Sequence, residues 1–119
     1  GQTYESGPEY QVLDNSGGEP PLEQASGLFA LYAPEGAVTK PVGEYNTGRI
    51  LVDHGKVEHW LNGVKVAAYD MNAADFKARV AASKFARWPT FAASPSGHIA
   101  LQNHGDPVAF RNLKIRRLP

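Results

Sequence analysis

The chain carries 119 residues with 12 Lys and Arg against 12 Asp and Glu, so its formal charge is zero, and it has no cysteine. That balance argues against a nucleic-acid binder, which needs a basic surface to displace phosphate counterions, and against a polybasic membrane anchor. The missing thiols exclude disulfides, Cys-ligated metals and a thiol nucleophile, and no apolar run approaches the roughly 18 residues of a membrane span.

Residues 1–119 read as a single domain. Its 12 Gly and 9 Pro exceed the usual share of about 12% for the two together, which points to short strands and many turns. The first strand falls at residues 9–14, where Tyr10 and Val12 share one face and Glu9 and Gln11 the other. Residues 15–21 are loop by composition. Residues 28–32 form an apolar run closed by Pro34 and Gly36, and suit either a strand or a single helical turn.

The middle of the chain predicts a three-stranded meander. Asn62-Gly63 between two β-rich runs is a strong hairpin signal, because a type I′ turn needs positive φ at both central residues. His54-Gly55 is a weaker version of the same device. Two-residue turns at both places set Leu61 opposite Val64, Trp60 opposite Lys65 and Arg49, and His59 opposite Val66 and Ile50. One face is then Ile50, Val52, Val57, His59, Leu61, Val64 and Val66, a core face with a histidine in it. The other carries Arg49, Leu51, Glu58, Trp60, Lys65 and Ala67.

Residues 72–83 predict one short helix, with Asn72 as N-cap, Asp75 in the first turn, and Phe76 and Val80 on the apolar side. Residues 85–97, with Pro89, Pro95 and Gly97, read as an irregular connection. Residues 98–104 read as a half-buried strand with Ile99 and Leu101 inward. Gly105-Asp106-Pro107 turns the chain into a last strand over 108–118. The basic residues Arg111, Lys114, Arg116 and Arg117 read as a solvated edge that deters aggregation.

At this point the residues resemble a family. Gly7-Pro8-Glu9-Tyr10-Gln11-Val12-Leu13-Asp14-Asn15, Lys40-Pro41-Val42-Gly43-Glu44-Tyr45-Asn46 and Val57-Glu58-His59-Trp60-Leu61-Asn62-Gly63 are similar to segments of the DUF1080 family, the 3-keto-disaccharide hydrolase domain. So are Ser83-Lys84-Phe85, Gly97-His98-Ile99-Ala100-Leu101-Gln102-Asn103-His104-Gly105 and Phe110-Arg111-Asn112-Leu113-Lys114-Ile115. Order and spacing agree over nearly the whole chain. Such domains usually have Trp where Tyr45 stands and Asp where Asn103 stands, and they begin with further strands before the Gly-Pro-Glu-Tyr-Gln segment. The chain therefore resembles the C-terminal part of that domain.

The resemblance implies an all-β fold: a concanavalin A-like (LamG-like) jelly-roll β-sandwich of antiparallel strands with one short helix, lacking N-terminal strands. The all-β class also follows from strand lengths, turn spacing and Gly/Pro content. The resemblance further implies cleavage of 3-keto-glycosides. A ketone at C3 acidifies the C2 proton, a base removes it, the enolate expels the C1 oxygen, and water adds to the resulting glucal. That chemistry needs a base at C2, an electrophile at the C3 oxygen and a proton source at the leaving oxygen. A divalent metal ion is one candidate electrophile, with its ligands unassigned; no nucleotide or organic cofactor is expected. The expected partner is a carbohydrate, with no nucleic acid and no membrane span. Exposed sheet edges would favour a homo-oligomer, and the family context implies a periplasmic or secreted protein.

Within that reading the catalytic candidates are Glu9, as base or metal ligand, and His104, as acid/base or ligand. Gln11 and Gln102 are hydroxyl binders on the same polar faces. Trp60 with Arg49 reads either as a sugar-stacking platform or as a cross-strand cation–π pair. His59 is flagged by the resemblance as a substrate-binding residue, yet the register places it among Val and Ile. A solvated sheet face is the alternative for Glu9, Gln11, Gln102 and His104, and a noncatalytic carbohydrate-binding module is the alternative for the whole. No phosphate loop, His-Glu-x-x-His or Gly-x-Ser-x-Gly motif occurs, and no cluster of carboxylates marks an ordinary two-carboxylate glycosidase.

Overall fold

Two tight turns build the sheet. Asn62 and Gly63 have φ of 50° and 82°, and His54 and Gly55 have φ of 50° and 84°, the left-handed pairs that a type I′ turn demands. They join β1 (Gly48–Asp53), β2 (Lys56–Leu61) and β3 (Val64–Asp70) into an antiparallel three-stranded sheet of order β1-β2-β3. The computed structural model describes residues 1–119. This sheet and one short helix, α1 (Ala74–Ala81), are its main regular elements, joined by 3₁₀ turns at Thr3–Glu5, Pro21–Glu23 and Lys84–Arg87.

The β1–β2 register agrees with the expectation throughout, with Val52 opposite Val57, His59 opposite Ile50 and Trp60 opposite Arg49. The β2–β3 register agrees at Leu61–Val64 and Trp60–Lys65, then shifts by one residue, so that His59 faces Ala67 rather than Val66. A bulge in β3 causes the shift. It leaves Val66 without a place in the ladder on β2, and its carbonyl is taken instead by the Glu35 amide at 2.7 Å. Val57, His59, Leu61 and Val66 are buried as expected. Ile50 and Val52 of β1 and Val64 at the hairpin end of β3 are about half exposed, because the core does not extend beneath β1 or out to the Asn62-Gly63 turn.

That core is aromatic. Leu28, Leu31, Phe76, Phe85 and Phe91 form its buried centre. Phe85 and Phe91 stack at 4.2 Å, and Tyr32, Tyr69 and Phe76 form a triangle of rings with centroids 5.1, 6.0 and 6.4 Å apart. Offset stacking of such rings adds to the burial of their large apolar area. Helix α1 contributes Phe76 with Val80 beside it, at the predicted spacing. Its N-cap is Ala73 without a side-chain bond, not Asn72. The Asn72 amide is used elsewhere, donating to the His54 carbonyl in the β1–β2 turn at 3.3 Å.

Three expected strands are corrected. Residues 9–14 form no strand; Tyr10 makes a single bridge to Leu28, and Gln11 exchanges hydrogen bonds with Ser26 and Gly27. Residues 28–32, open between a strand and a single helical turn, are a turn, with the Leu31 and Tyr32 amides both bonded to the Leu28 carbonyl. Residues 98–104 and 108–118 belong to no strand and make no backbone–backbone hydrogen bond, and every residue from 93 to 119 is exposed. Alternation assigned those segments a face; a strand also needs a neighbour to receive its N–H and C=O groups.

Candidate active site

Glu9 is set by its neighbour. Tyr10 turns inward, its ring 4.9 Å from that of His59 and its hydroxyl donating to the Trp60 carbonyl at 2.8 Å. Burial pushes this phenol up to about 12, so it stays a neutral anchor. At Glu9 the Phe29 amide donates to the backbone carbonyl at 2.9 Å. The half-buried Glu9 carboxylate has the Gln102 side chain and the charges of Lys84 and His104 near enough to lower its pKa. Burial nevertheless outweighs those three and raises its pKa above the usual 4.5.

Three of the expected site residues thus converge from segments about ninety positions apart: Glu9, Gln102 and His104. Gln11 stands apart, its amide donating to the Glu23 carbonyl at 3.1 Å. Arg49 and Trp60 lie on the opposite, outer face of the sheet. The guanidinium is 5.6 Å from the indole centroid, and Glu58 accepts the indole N–H at 2.9 Å while its other oxygen lies 3.9 Å from Lys65.

His59 is 1% exposed and fully engaged. Its Nδ1 donates to the Ser26 carbonyl at 2.8 Å, which leaves Nε2 to accept the Tyr69 hydroxyl at 2.7 Å. Desolvation lowers its pKa below 6.5, slightly offset by the bond to Ser26. As placed, this ring is a neutral structural tie between β2, β3 and the residue 26 turn. Ser26 adopts φ 71° there, and its buried hydroxyl has no partner.

The residue that sequence reasoning missed is Lys84. It stood inside the Ser83-Lys84-Phe85 match, but a lysine after a serine reads as surface charge. The cluster is open: Lys84, Gln102 and His104 are exposed. The two principal cavities, of about 340 and 180 Å³, are lined by other residues, around Gly1 and Thr90 in one case and around Tyr32 and Val66 in the other. Nor do three His, Asp or Glu side chains gather anywhere to hold a metal ion. Glu9 and His104 supply two donors, fewer than a protein metal centre ordinarily uses. The residues present do not fit one.

The profile of the 3-keto-alpha-glucoside-1,2-lyase-like domain matches residues 1–116. The chain belongs to that family. A 3-keto-disaccharide hydrolase of Bacteroides thetaiotaomicron is 33% identical over 97% of this chain. The crystal structure of a candidate glycosyl hydrolase from Parabacteroides distasonis superposes with a TM-score of 0.70 at 32% identity over 76% of this chain. The chain spans 45% of the length of each relative. An antiparallel sheet with one short helix is what this member of the 3-keto-alpha-glucoside-1,2-lyase-like family contributes to such a fold.

Proposed function

We propose that the chain acts on 3-keto-glycosides, on a concanavalin A-like β-sandwich, by proton abstraction at C2, elimination at C1 and hydration. The observation that carries the reading is the meeting of Glu9 with Gln102 and His104 in a member of this family. Glu9 is the base: half-buried, with burial holding its pKa above the usual 4.5, it takes a proton more readily than an ordinary surface carboxylate. Gln102 orients it and offers its amide to a sugar hydroxyl. His104 gives a proton to the departing C1 oxygen and, in the hydration half, takes one from water. No step is assigned to a metal ion.

The test is incubation with a 3-keto-disaccharide, following the conjugated enone by ultraviolet absorbance and the released sugar by chromatography. The unoxidised disaccharide should not react, since a C3 hydroxyl leaves the C2 proton inert. Glu9→Gln should slow turnover by roughly 100-fold or more, the usual size of a general-base contribution. Equal turnover by that variant removes Glu9 from the mechanism.

A second reading is a carbohydrate-binding module, supported by the Arg49–Trp60 pair on the outer sheet face. Its mark would be binding of a glycan lost in Trp60→Ala and retained in Glu9→Gln, with no turnover in either.

A further inference from the structure

Elimination from a 3-keto sugar places its demands on consecutive carbons. C2 loses a proton, the C3 oxygen gains negative charge, and the C1 oxygen departs. Two such groups stand near enough to Glu9 to lower its pKa, the cation Lys84 and the protonatable His104. His104 can deliver a proton and suits C1. The other position calls for a lasting positive charge that stabilises an enolate without transferring a proton.

Lys84 is built for a fixed position. Ser83 caps its 3₁₀ turn by accepting from the Phe85 amide at 3.1 Å and donating to the Val80 carbonyl at 2.7 Å. Phe85, the next residue, is 3% exposed and locks the backbone into the core. The ammonium nitrogen stands 4.3 Å from the Phe29 ring centroid and 5.7 Å from that of Phe85, an arrangement favoured by the ring quadrupoles. Phe29 is the residue whose amide holds the Glu9 backbone. Lys84 forms no ion pair: the pairs of the molecule are His54–Asp53, Lys65–Glu58 and Arg79–Asp75. Its N–H groups are thus free for a ligand oxygen beside Glu9.

We propose that Lys84 is the electrophile of this site, its ammonium group binding the C3 carbonyl oxygen and holding the charge that develops there. The inference rests on the function proposed above and deepens it. Glu9 takes the C2 proton; the C–H electrons form C2=C3, and the carbonyl π electrons move to the C3 oxygen beside Lys84. Collapse of the enolate restores C3=O, forms C1=C2 and breaks the bond from C1 to the leaving oxygen, which receives the His104 proton. Water then adds OH at C1 and the Glu9 proton at C2, and His104 recovers a proton from that water. The sum is hydrolysis with no change of oxidation state.

The experiment measures C2–H exchange of a 3-keto-glucoside in D2O by NMR, together with turnover, for the wild type, Lys84→Met and Lys84→Arg. Methionine keeps the stem over Phe29, and circular dichroism confirms the fold. Lys84→Met should lose roughly 100-fold in both rates, the scale of removing one oxyanion donor, while Lys84→Arg should restore part of each. The acid limb of kcat/KM should also move to higher pH in Lys84→Met, because loss of the cation raises the base, whereas the loss of C2–H exchange and its partial rescue by Lys84→Arg report the contact with the C3 oxygen. Exchange by the wild type with equal exchange by a folded Lys84→Met overturns the role of Lys84 alone. Absence of turnover by the wild type overturns the proposed function and this inference with it.

Discussion

Two stretches of this chain alternate apolar and polar residues in the same way and end differently. In β2, Val57 and Leu61 are 4% and 5% exposed; in the last third, Ile99 and Ile115 are 78% and 83% exposed. Strand β2 finds a neighbour on each side through a two-residue turn, so pairing costs little loop-closure entropy. Residues 98–104 have no partner within reach of such a turn, and their backbone groups remain unpaired within the chain. The candidate site joins both regimes. Glu9 is tied by Phe29 and Lys84 by the 3₁₀ turn, whereas Gln102 and His104 arrive from the exposed segment.

The sharpest way to break this contrast is to remove the core that the buried stretch rests on. Phe76 is 3% exposed and packs among Leu28, Leu31, Phe85 and Phe91. Phe76→Ala should cost about 3–5 kcal/mol, the usual range for truncating a buried aromatic. Urea unfolding followed by tryptophan fluorescence measures it; a loss below about 1 kcal/mol would mean that the aromatic cluster is not the centre of stability.

Next in size is the His59 tie. Tyr69→Phe leaves Nε2 buried without its donor, which should cost about 1–3 kcal/mol. The pH dependence follows from direction alone. With its folded pKa below 6.5, His59 binds a proton more readily in the unfolded chain, so its stability contribution is complete above 6.5 and falls as the pH drops through that value. Glu9 works the other way: raised above 4.5, its contribution is complete below 4.5 and is lost as pH rises through its folded value. In a Glu9→Gln background, unfolding free energy should therefore climb toward pH 6.5 and level off, and His59→Gln should flatten that climb.

A smaller effect is expected at the turn. The Asn62 side chain donates to the Val38 carbonyl at 3.0 Å and to Asn46 Oδ1 at 2.9 Å, and accepts from the Thr47 amide at 2.8 Å. It thereby fastens the 38–47 loop to the hairpin. Asn62→Ala should cost about 1–2 kcal/mol through these bonds and through the positive φ, measured by thermal unfolding.

What was legible in the sequence follows the same division. The meander, its turns, most of its register and the burial of His59 could be read, since each depends on residues a few positions apart. The bulge at Val66 could not, because it is decided by the Glu35 amide, thirty-one positions upstream. The strand at residues 9–14 failed because Tyr10 and Gln11 are satisfied by the residue 26–28 turn, and no pattern in either segment names the other. Of the site, Glu9, Gln102 and His104 were visible as polar residues on alternating segments. Lys84 was not, because its position depends on the ring of Phe29, which is set by tertiary packing.

The smallest prediction tests the exposed stretch itself. Ile115 projects into solvent, and the backbone around it has no internal partner. Replacing it with Ser removes apolar area that is already in water, so unfolding free energy should change by less than about 0.5 kcal/mol. Val57→Ser, which removes a smaller apolar side chain but from a buried site, should cost several times more, because both the transfer of the side chain and the cavity left behind count against it. The pair reads out pairing directly. Were Ile115→Ser to cost as much as Val57→Ser, residues 108–118 would be burying a face in solution, and the contrast between the two alternating stretches would vanish.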